Sequence, residues 1–436
     1  MTSLFDRKRL VAPAVLLTAI FAVTGCSDQM FDSNTGPEVE LASESKIRNP
    51  QLREAAVTVS AKGEELTGIV FSIHPSKIVD RYKIVDRYKI VDRYKIVDRY
   101  EYSEVFAGFA IWAASGHIDE LFALMDSDPD IEWIETAFRI NGPKSDRKRA
   151  KDYDSVPWSV EMIGAKSSWT RSGDGTGVVD MDVFVIDTGV SSSDLDVVEN
   201  VDFSGSDPSA ADSDGHGTHI AGIIGAFDDD RGIVGVAPGA RIHNLKVFGP
   251  DGFTDDGIVI KALEHVLVWK RRHHKSSAVV NLSLGEDVGT SGYTALDDAV
   301  QKVIDAGITV VVAAGNEGED VSGISPAHVP GAITVGSVDE KRKYSWFSNF
   351  GLGIDILAPG QNVISTSPNQ FGVEIMSGTS MSAAHVTGAA ALILAIRAGA
   401  NPAQVAGEIR DTAALRSRSV PRGTTRLLVN VSQDDD

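Results

Sequence analysis

Four short stretches of this chain hold residue types whose chemistry is complementary. Asp187 follows the apolar run Val183-Phe184-Val185-Ile186 and precedes Thr188-Gly189. Asp214-Gly215-His216-Gly217-Thr218-His219 comes next, then Ala313-Ala314-Gly315-Asn316-Glu317-Gly318. Ser377-Gly378-Thr379-Ser380-Met381 stands before a long apolar run. A serine hydroxyl is a weak nucleophile until a base takes its proton, and His216 is of the type that does so. A buried carboxylate such as Asp187 can fix the imidazole tautomer and stabilise the imidazolium. A tetrahedral intermediate needs donors aimed at its oxyanion, and the Ser380 N–H and the Asn316 amide are two. Each residue alone has a plainer reading. An Asp after a strand is more often a turn or cap residue, and a Ser before a helix is commonly an N-cap. His216 and His219 also read as a His-x-x-His metal pair. Zinc needs further ligands and none stands nearby, so His219 is read as structural. The combination is far more specific than its parts.

The elements that must position these residues form one pattern from about residue 155 to 436. Apolar runs at Asp182–Ile186, Arg241–Phe248, Ala278–Leu284, Ile308–Ala313 and Ala332–Val335 read as strands. Helical periodicity covers 255–272, 293–306 and 380–397. Strands that are apolar throughout and separated by helices predict an α/β fold, a mainly parallel twisted sheet with helices on both faces. Sites in such sheets form at the carboxyl ends of the strands.

Asp-Thr-Gly, His-Gly-Thr-His-Ile-Ala-Gly, Ala-Ala-Gly-Asn and Ser-Gly-Thr-Ser-Met, in this order, resemble the motifs of the subtilases. The resemblance covers nearly all of residues 155–430. It implies a serine endopeptidase with Asp187, His216 and Ser380 as triad and Asn316 as oxyanion donor, acting on proteins or peptides without an organic cofactor. Gly252-Phe253-Thr254 and Ser283-Leu284-Gly285 match the two edges that pair with an extended substrate strand. Ala313, Ala314 and Gly315 would line one wall of the main specificity pocket. Ser325-Pro326-Ala327 and Ser345-Trp346-Phe347-Ser348-Asn349-Phe350-Gly351 are similar to the proteinase K branch, in which the peptide bond matching Ser325–Pro326 is cis. That branch also implies a structural Ca²⁺ site on the Pro330 and Ala332 carbonyls and the Asp355 carboxylate. The plainer alternative is that Asp355 caps a turn. Asp228-Asp229-Asp230 lies where subtilisins have another calcium loop and is read as a solvated acidic turn. Two residues depart from the pattern: Ala384 replaces a proline and Thr387 an alanine, both on the helix that carries Ser380. The basic run Lys270–Lys275 reads as a solvated helix end.

The amino-terminal third is organised differently. Arg7, Lys8 and Arg9 precede the apolar run Leu10–Val23, which reads as an export signal too short for a membrane span. It ends in Val23-Thr24-Gly25-Cys26, like a bacterial lipobox, which would make residues 1–26 a lipoprotein-type signal. Residues 27–55 are polar and read as a flexible tether. Residues 56–142 read as a small α+β unit, with strands at Ala56–Pro75, Tyr102–Ala114 and Ile131–Ile140 and a helix at Ser115–Asp126. Within it Lys-Ile-Val-Asp-Arg-Tyr occurs four times in tandem over 77–100. Three added copies are 18 residues, five whole helical turns, so a lengthened helix is expected there. Val105–Ala110 and Asp130–Glu135 resemble the family's inhibitor-like propeptide. That implies an intramolecular chaperone and inhibitor, cut off in the basic linker 143–154. A lipid on Cys26 would then lie on the propeptide side of the cut, and the mature enzyme would be released outside the cell or in the periplasm.

Composition sets outer limits. The net charge is −20 and the pI about 4.9, which disfavours nucleic acid and anionic membrane surfaces as partners. Cys26 is the single cysteine of the chain, so no intrachain disulfide can form. The chain is read as a monomer. Two other readings stay open at this level: an inactive subtilase that binds extended peptides, and a surface lipoprotein whose working part is the repeat.

Overall fold

The computed structural model describes residues 46–49, 57–59, 65–74, 98–143, 148–150 and 156–433, apart from 230, 290–291, 369–371 and 414. The export signal, the lipobox and most of the tether and of the repeat lie outside the described residues.

The amino-terminal unit is one antiparallel sheet. Its strands are β1 (Val57–Val59), β2 (Glu65–Ile73), β3 (Asp98–Tyr102), β4 (Gly108–Ala114) and β5 (Ile131–Thr136). β4 lies between β2 and β3, while β1 and β5 both pair with β2. Side chains alternate across a strand. Ile69, Phe71, Phe109 and Ile111 therefore pack on Leu121, Phe122 and Met125 of helix α1 (Ile118–Asp126). Val70, Ala110 and Trp112 face the other way and join the core of the larger unit.

Three expectations are corrected here. The last residues of the repeat, Asp98–Tyr100, are strand and not helix, because pairing with β4 suits their aromatic and extended character. The strand expected over Tyr102–Ala114 is interrupted at residues 103–107, where backbone N–H groups bond to a side chain instead of a neighbouring strand. The end of the tether is pinned: Ile47 bridges Ile134, and Arg48 pairs with Asp298 at 2.6 Å.

The chain then forms β6 (Arg139–Asn141), β7 (Lys148–Ala150) and the short helix α2 (Trp158–Met162). Next come β8 (Asp182–Asp187), β9 (Asp196–Asp202), α3 (His216–Gly225), β10 (Arg241–Lys246) and β11 (Phe253–Asp255). Then follow α4 (Asp256–Arg272), β12 (Ala278–Leu282), α5 (Ala295–Asp305) and β13 (Thr309–Ala313). The chain continues through β14 (Ile333–Val338), β15 (Ile356–Pro359), β16 (Val363–Thr366) and β17 (Val373–Met376). α6 (Thr379–Ile396), α7 (Pro402–Asp411), β18 (Leu415–Arg416) and β19 (Leu427–Leu428) complete it.

Nine of the described strands form the main sheet, in the order β18-β19-β15-β14-β13-β12-β8-β10-β9. All pairs are parallel except β18 with β19. Alternation again divides the core. Phe184, Ile186, Val280 and Val310 face α4 and α5, whereas Val183, Val185, Val279 and Val311 face α3 and α6. This is the expected α/β architecture with both faces covered. β10 and then β9 lie on one side of β8 and β12 to β15 on the other, and a crevice opens beyond the carboxyl end of the strand that carries Asp187. α6 is apolar on all sides because it is a core helix, and Thr379–Leu394 are all buried.

The amino-terminal sheet lies on α4 and α5. The Glu264 carboxylate accepts from the N–H groups of Ser103, Glu104 and Val105 at 2.7–2.9 Å. Tyr102 donates its hydroxyl to the Gly257 carbonyl at 2.9 Å. Arg271, expected in a solvated helix end, pairs with Glu104. Two carboxyls are buried in this joint. Asp256 accepts from the Phe138 N–H at 3.1 Å. Glu135 accepts from the Ala295 N–H at the start of α5, also at 3.1 Å, and its Oε1 has no hydrogen-bond partner among the described residues.

Burial pushes the Glu135 carboxyl up to about 8, against lowering by Arg48 and by the Ala295 and Asn49 hydrogen bonds; Asp297 adds to the rise. Asp256 is held well above the carboxylate range by burial and then by Glu135. A carboxyl raised in the joined state favours joining at low pH. For Glu135 the stabilisation is complete below about 4.5 and is lost as pH rises through about 8. Scanning calorimetry of the full chain carrying Ser380→Ala should show the amino-terminal unit releasing at lower temperature as pH rises across that window. Glu135→Gln should flatten this dependence, and an unaltered slope would exclude Glu135 as its source.

Candidate active site

β8 carries Asp187 to its carboxyl end, and the tight turn at Gly189 brings the chain round to face α3. Asp187 and His216 are each 1% exposed at the side chain, with Asp187 Oδ1 2.7 Å from His216 Nδ1. The Thr188 N–H donates to the same oxygen at 2.7 Å. This contact places the imidazole proton on Nδ1 and leaves Nε2 as a bare acceptor. Nε2 has no hydrogen-bond partner among the described residues. Ser380 is the second residue of α6, which packs against α3. Its hydroxyl lies 3.5 Å from the Ser283 carbonyl, and its N–H belongs to the helical turn that lacks intrahelical acceptors.

Asn316 stands across from this helix start. Its Oδ1 accepts from the Thr379 N–H at 2.8 Å and from the Thr379 hydroxyl at 3.1 Å. These two donors fix the amide orientation and leave its NH₂ group toward the cleft. The loop is clamped from behind by Asn349, which is fully buried. Asn349 accepts from the Glu317 and Glu319 N–H groups and donates to the Ala314 carbonyl. Gly315 adopts φ +99, and a Cβ there would lie 2.3 Å from Asn349 Nδ2, so the turn requires glycine.

Asp212 was not singled out in the sequence, although an Asp just before a helix is an N-terminal capping signal. One carboxylate oxygen accepts from the Thr188 hydroxyl and from the Asp214 and Gly215 N–H groups, at 2.9, 3.0 and 2.7 Å. The other accepts from the Thr218 N–H and hydroxyl, at 2.9 and 2.5 Å. Asp212 thus ties the residue after Asp187 to the helix that begins with His216. His219 lies inside the same helix and donates Nε2–H to the Val363 and Glu374 carbonyls, both at 3.2 Å. Burial lowers it to about 3, so it stays neutral and works as a tie between elements.

The Gly252-Phe253-Thr254 edge lies outside the lining of a cleft of about 290 Å³ that reaches Ser380, Asn316, Ala313 and Gly315. Ser283, Leu284 and Gly285 line it, whereas Ala314 is buried behind the wall and does not. On the opposite edge β11 pairs with β6 of the same chain, placing Ile140 against Thr254, and the Gly142 N–H donates to the Gly252 carbonyl at 2.8 Å. Asn141, Gly142 and Pro143 lie in the cleft itself.

The remaining singled-out residues sit elsewhere. The Ser325–Pro326 bond is cis. Asp355 Oδ2 accepts from the Thr334 N–H at 3.0 Å, and Oδ1 faces the Arg410 guanidinium at 3.3 Å. The carboxylate expected as a Ca²⁺ ligand is thus met here by a backbone N–H and a guanidinium. Thr387, one of the departures from the family pattern, has a clear place. Its hydroxyl donates to Asn281 at 2.9 Å, Asn281 donates to the Ser283 hydroxyl at 2.9 Å, and that hydroxyl donates to the Ser380 carbonyl at 3.2 Å.

Two substitutions test this scaffold by urea unfolding. Asp212→Ala should cost on the order of 3 kcal/mol, because several N–H groups lose a charged acceptor. Thr387→Val keeps the volume and removes one donor, and should cost about 1 kcal/mol.

Residues 178–431 match the model of the Subtilase family. Subtilisin BL from Lederbergia lenta is 38% identical over 261 residues, 59% of this chain and 91% of that one. The alkaline protease of Alkalihalobacillus alcalophilus is 35% identical over 289 residues, 66% of this chain and 72% of its own. The extracellular serine proteinase of Thermus sp. (strain Rt41A) is 35% identical over 306 residues, 67% of this chain and 68% of its own. Among solved structures, a cold adapted subtilisin-like serine proteinase aligns with TM-score 0.56 and 34% identity, over 65% of this chain and all of that one. The fold, the family model and these relatives agree: the chain belongs to the subtilase family and is a serine endopeptidase.

Proposed function

We propose that the chain is the precursor of an exported endopeptidase that cuts itself and then hydrolyses other polypeptides. The observation that carries this reading is the buried 2.7 Å contact between Asp187 and His216, with Nε2 left without a hydrogen-bond partner among the described residues. In the reaction His216 Nε2 takes the Ser380 hydroxyl proton as Oγ bonds to the scissile carbonyl carbon. The oxyanion is held by the Ser380 N–H and the Asn316 amide. The C–N bond breaks as His216 returns the proton to the leaving amine. Water, activated by the same nitrogen, then releases the acid and frees Ser380.

The arrangement of residues 139–143 supports self-processing. Arg139–Asn141 pair with β11 as an extended strand, and Asn141, Gly142 and Pro143 line the cleft. In this reading residues 56–142 are the propeptide, and the cut falls beyond Pro143 in the basic linker. The lipobox at Cys26 and the preceding apolar run support export as a lipid-anchored precursor, with the catalytic part freed by the cut.

Intact mass of the purified chain over time, beside Ser380→Ala, tests the proposal. The parent should lose its amino-terminal unit while Ser380→Ala stays whole. Equal persistence of both folded chains would overturn it. Asn316→Ala should lower turnover roughly 100- to 1,000-fold with little change in KM, since its amide acts on the transition state.

A further inference from the structure

Beyond β6, which pairs with β11, the chain is next described as a strand at β7. β7 pairs antiparallel with β17, setting Lys148 across from Ile375, Arg149 across from Glu374 and Ala150 across from Val373. The other edge of β17 is taken by β16, so β7 covers what would otherwise be an open ladder of backbone donors and acceptors. β17 ends at Met376, four residues before Ser380. Its hairpin is fixed to the His216 helix: His219 donates to carbonyls on both strands, and the Ser365 hydroxyl donates to the His219 carbonyl at 2.7 Å. A ligand strand on this edge is therefore held in register with the reacting groups.

Glu374 adds a chemical preference. Its Oε2 is buried and has no hydrogen-bond partner among the described residues. A buried carboxylate oxygen left unpaired is costly, and a cation is the ligand that satisfies it best. Opposite charges at directly opposed positions of an antiparallel ladder favour pairing. The sequence across from it is Lys148-Arg149-Ala150, in the run Lys144-Ser145-Asp146-Arg147-Lys148-Arg149.

We propose that the edge of β17 is a second docking strand, on the leaving side of the cut, which takes an extended basic segment selected by Glu374. Its occupant is the chain's own Lys148–Ala150. With β6 paired on β11 and β7 on β17, the chain is held on both sides of the linker. The role in processing rests on the reading of Ser380 as nucleophile; the docking itself does not.

The test uses the full chain carrying Ser380→Ala, which stays uncut, and reads backbone hydrogen exchange over residues 148–150 by mass spectrometry. Slow exchange is expected in this parent. Glu374→Lys and, separately, Arg149→Glu should each speed it roughly fivefold or more. The double variant, with the charges exchanged, should restore protection. Fast exchange in the parent, or protection indifferent to both single changes, overturns the proposal. Thermal midpoints of the same samples separate loss of docking from unfolding, and Arg149→Glu decides the case if Glu374→Lys does not fold. In chains with Ser380 intact, the self-cutting rate should fall with each single change and recover in the double. If that chain never cuts, the nucleophile reading fails while the exchange result still decides the docking.

Discussion

A carboxylate buried at the end of a parallel strand must be paired or give up its charge. Asp187 meets that demand with the His216 ring, and much of the molecule exists to keep the two in register. The strand is set by pairing with β10 and β12 on its two sides. The helix is set by Asp212, whose carboxylate gathers donors from the turn after Asp187 and from the first turn of α3. The result is an imidazole held by one nitrogen with the other available, the condition for a histidine to act as a base.

The same logic appears where the two units meet, with the opposite outcome. Glu135 and Asp256 are buried without a cation at hydrogen-bonding distance, and both are shifted toward the neutral form. Glu264, by contrast, is met by a fan of backbone N–H groups from residues 103–105. Carboxylates thus serve three ends in one chain: holding an imidazole, capping backbone and coupling an interface to protons.

Much of the fold and of the site was legible because the relevant signals are local. Parallel strands buried on both faces read as unbroken apolar runs, and β8, β12 and β13 announced themselves in this way. His216, Asn316 and Ser380 sit in short glycine-bearing turns that keep their meaning without their neighbours. The parts that escaped depend on what packs against them. Nothing within Asp98–Tyr100 says that β4 will recruit it into a sheet. Nothing within Glu135 or Glu264 reveals that each will meet backbone donors more than a hundred positions away. Asp355 was read for its oxygens, and the guanidinium of Arg410 that meets it lies 55 positions on.

α6 is both the carrier of Ser380 and a spine of the core. It touches β12, β13, β14 and β15 of the sheet and packs against α3 and α7. Helices of this kind open only with the whole domain. The hydroxyl therefore has no soft mounting that could yield while the rest persists. Displacing Ser380 therefore means displacing a helix that four strands of the sheet and two other helices hold in place.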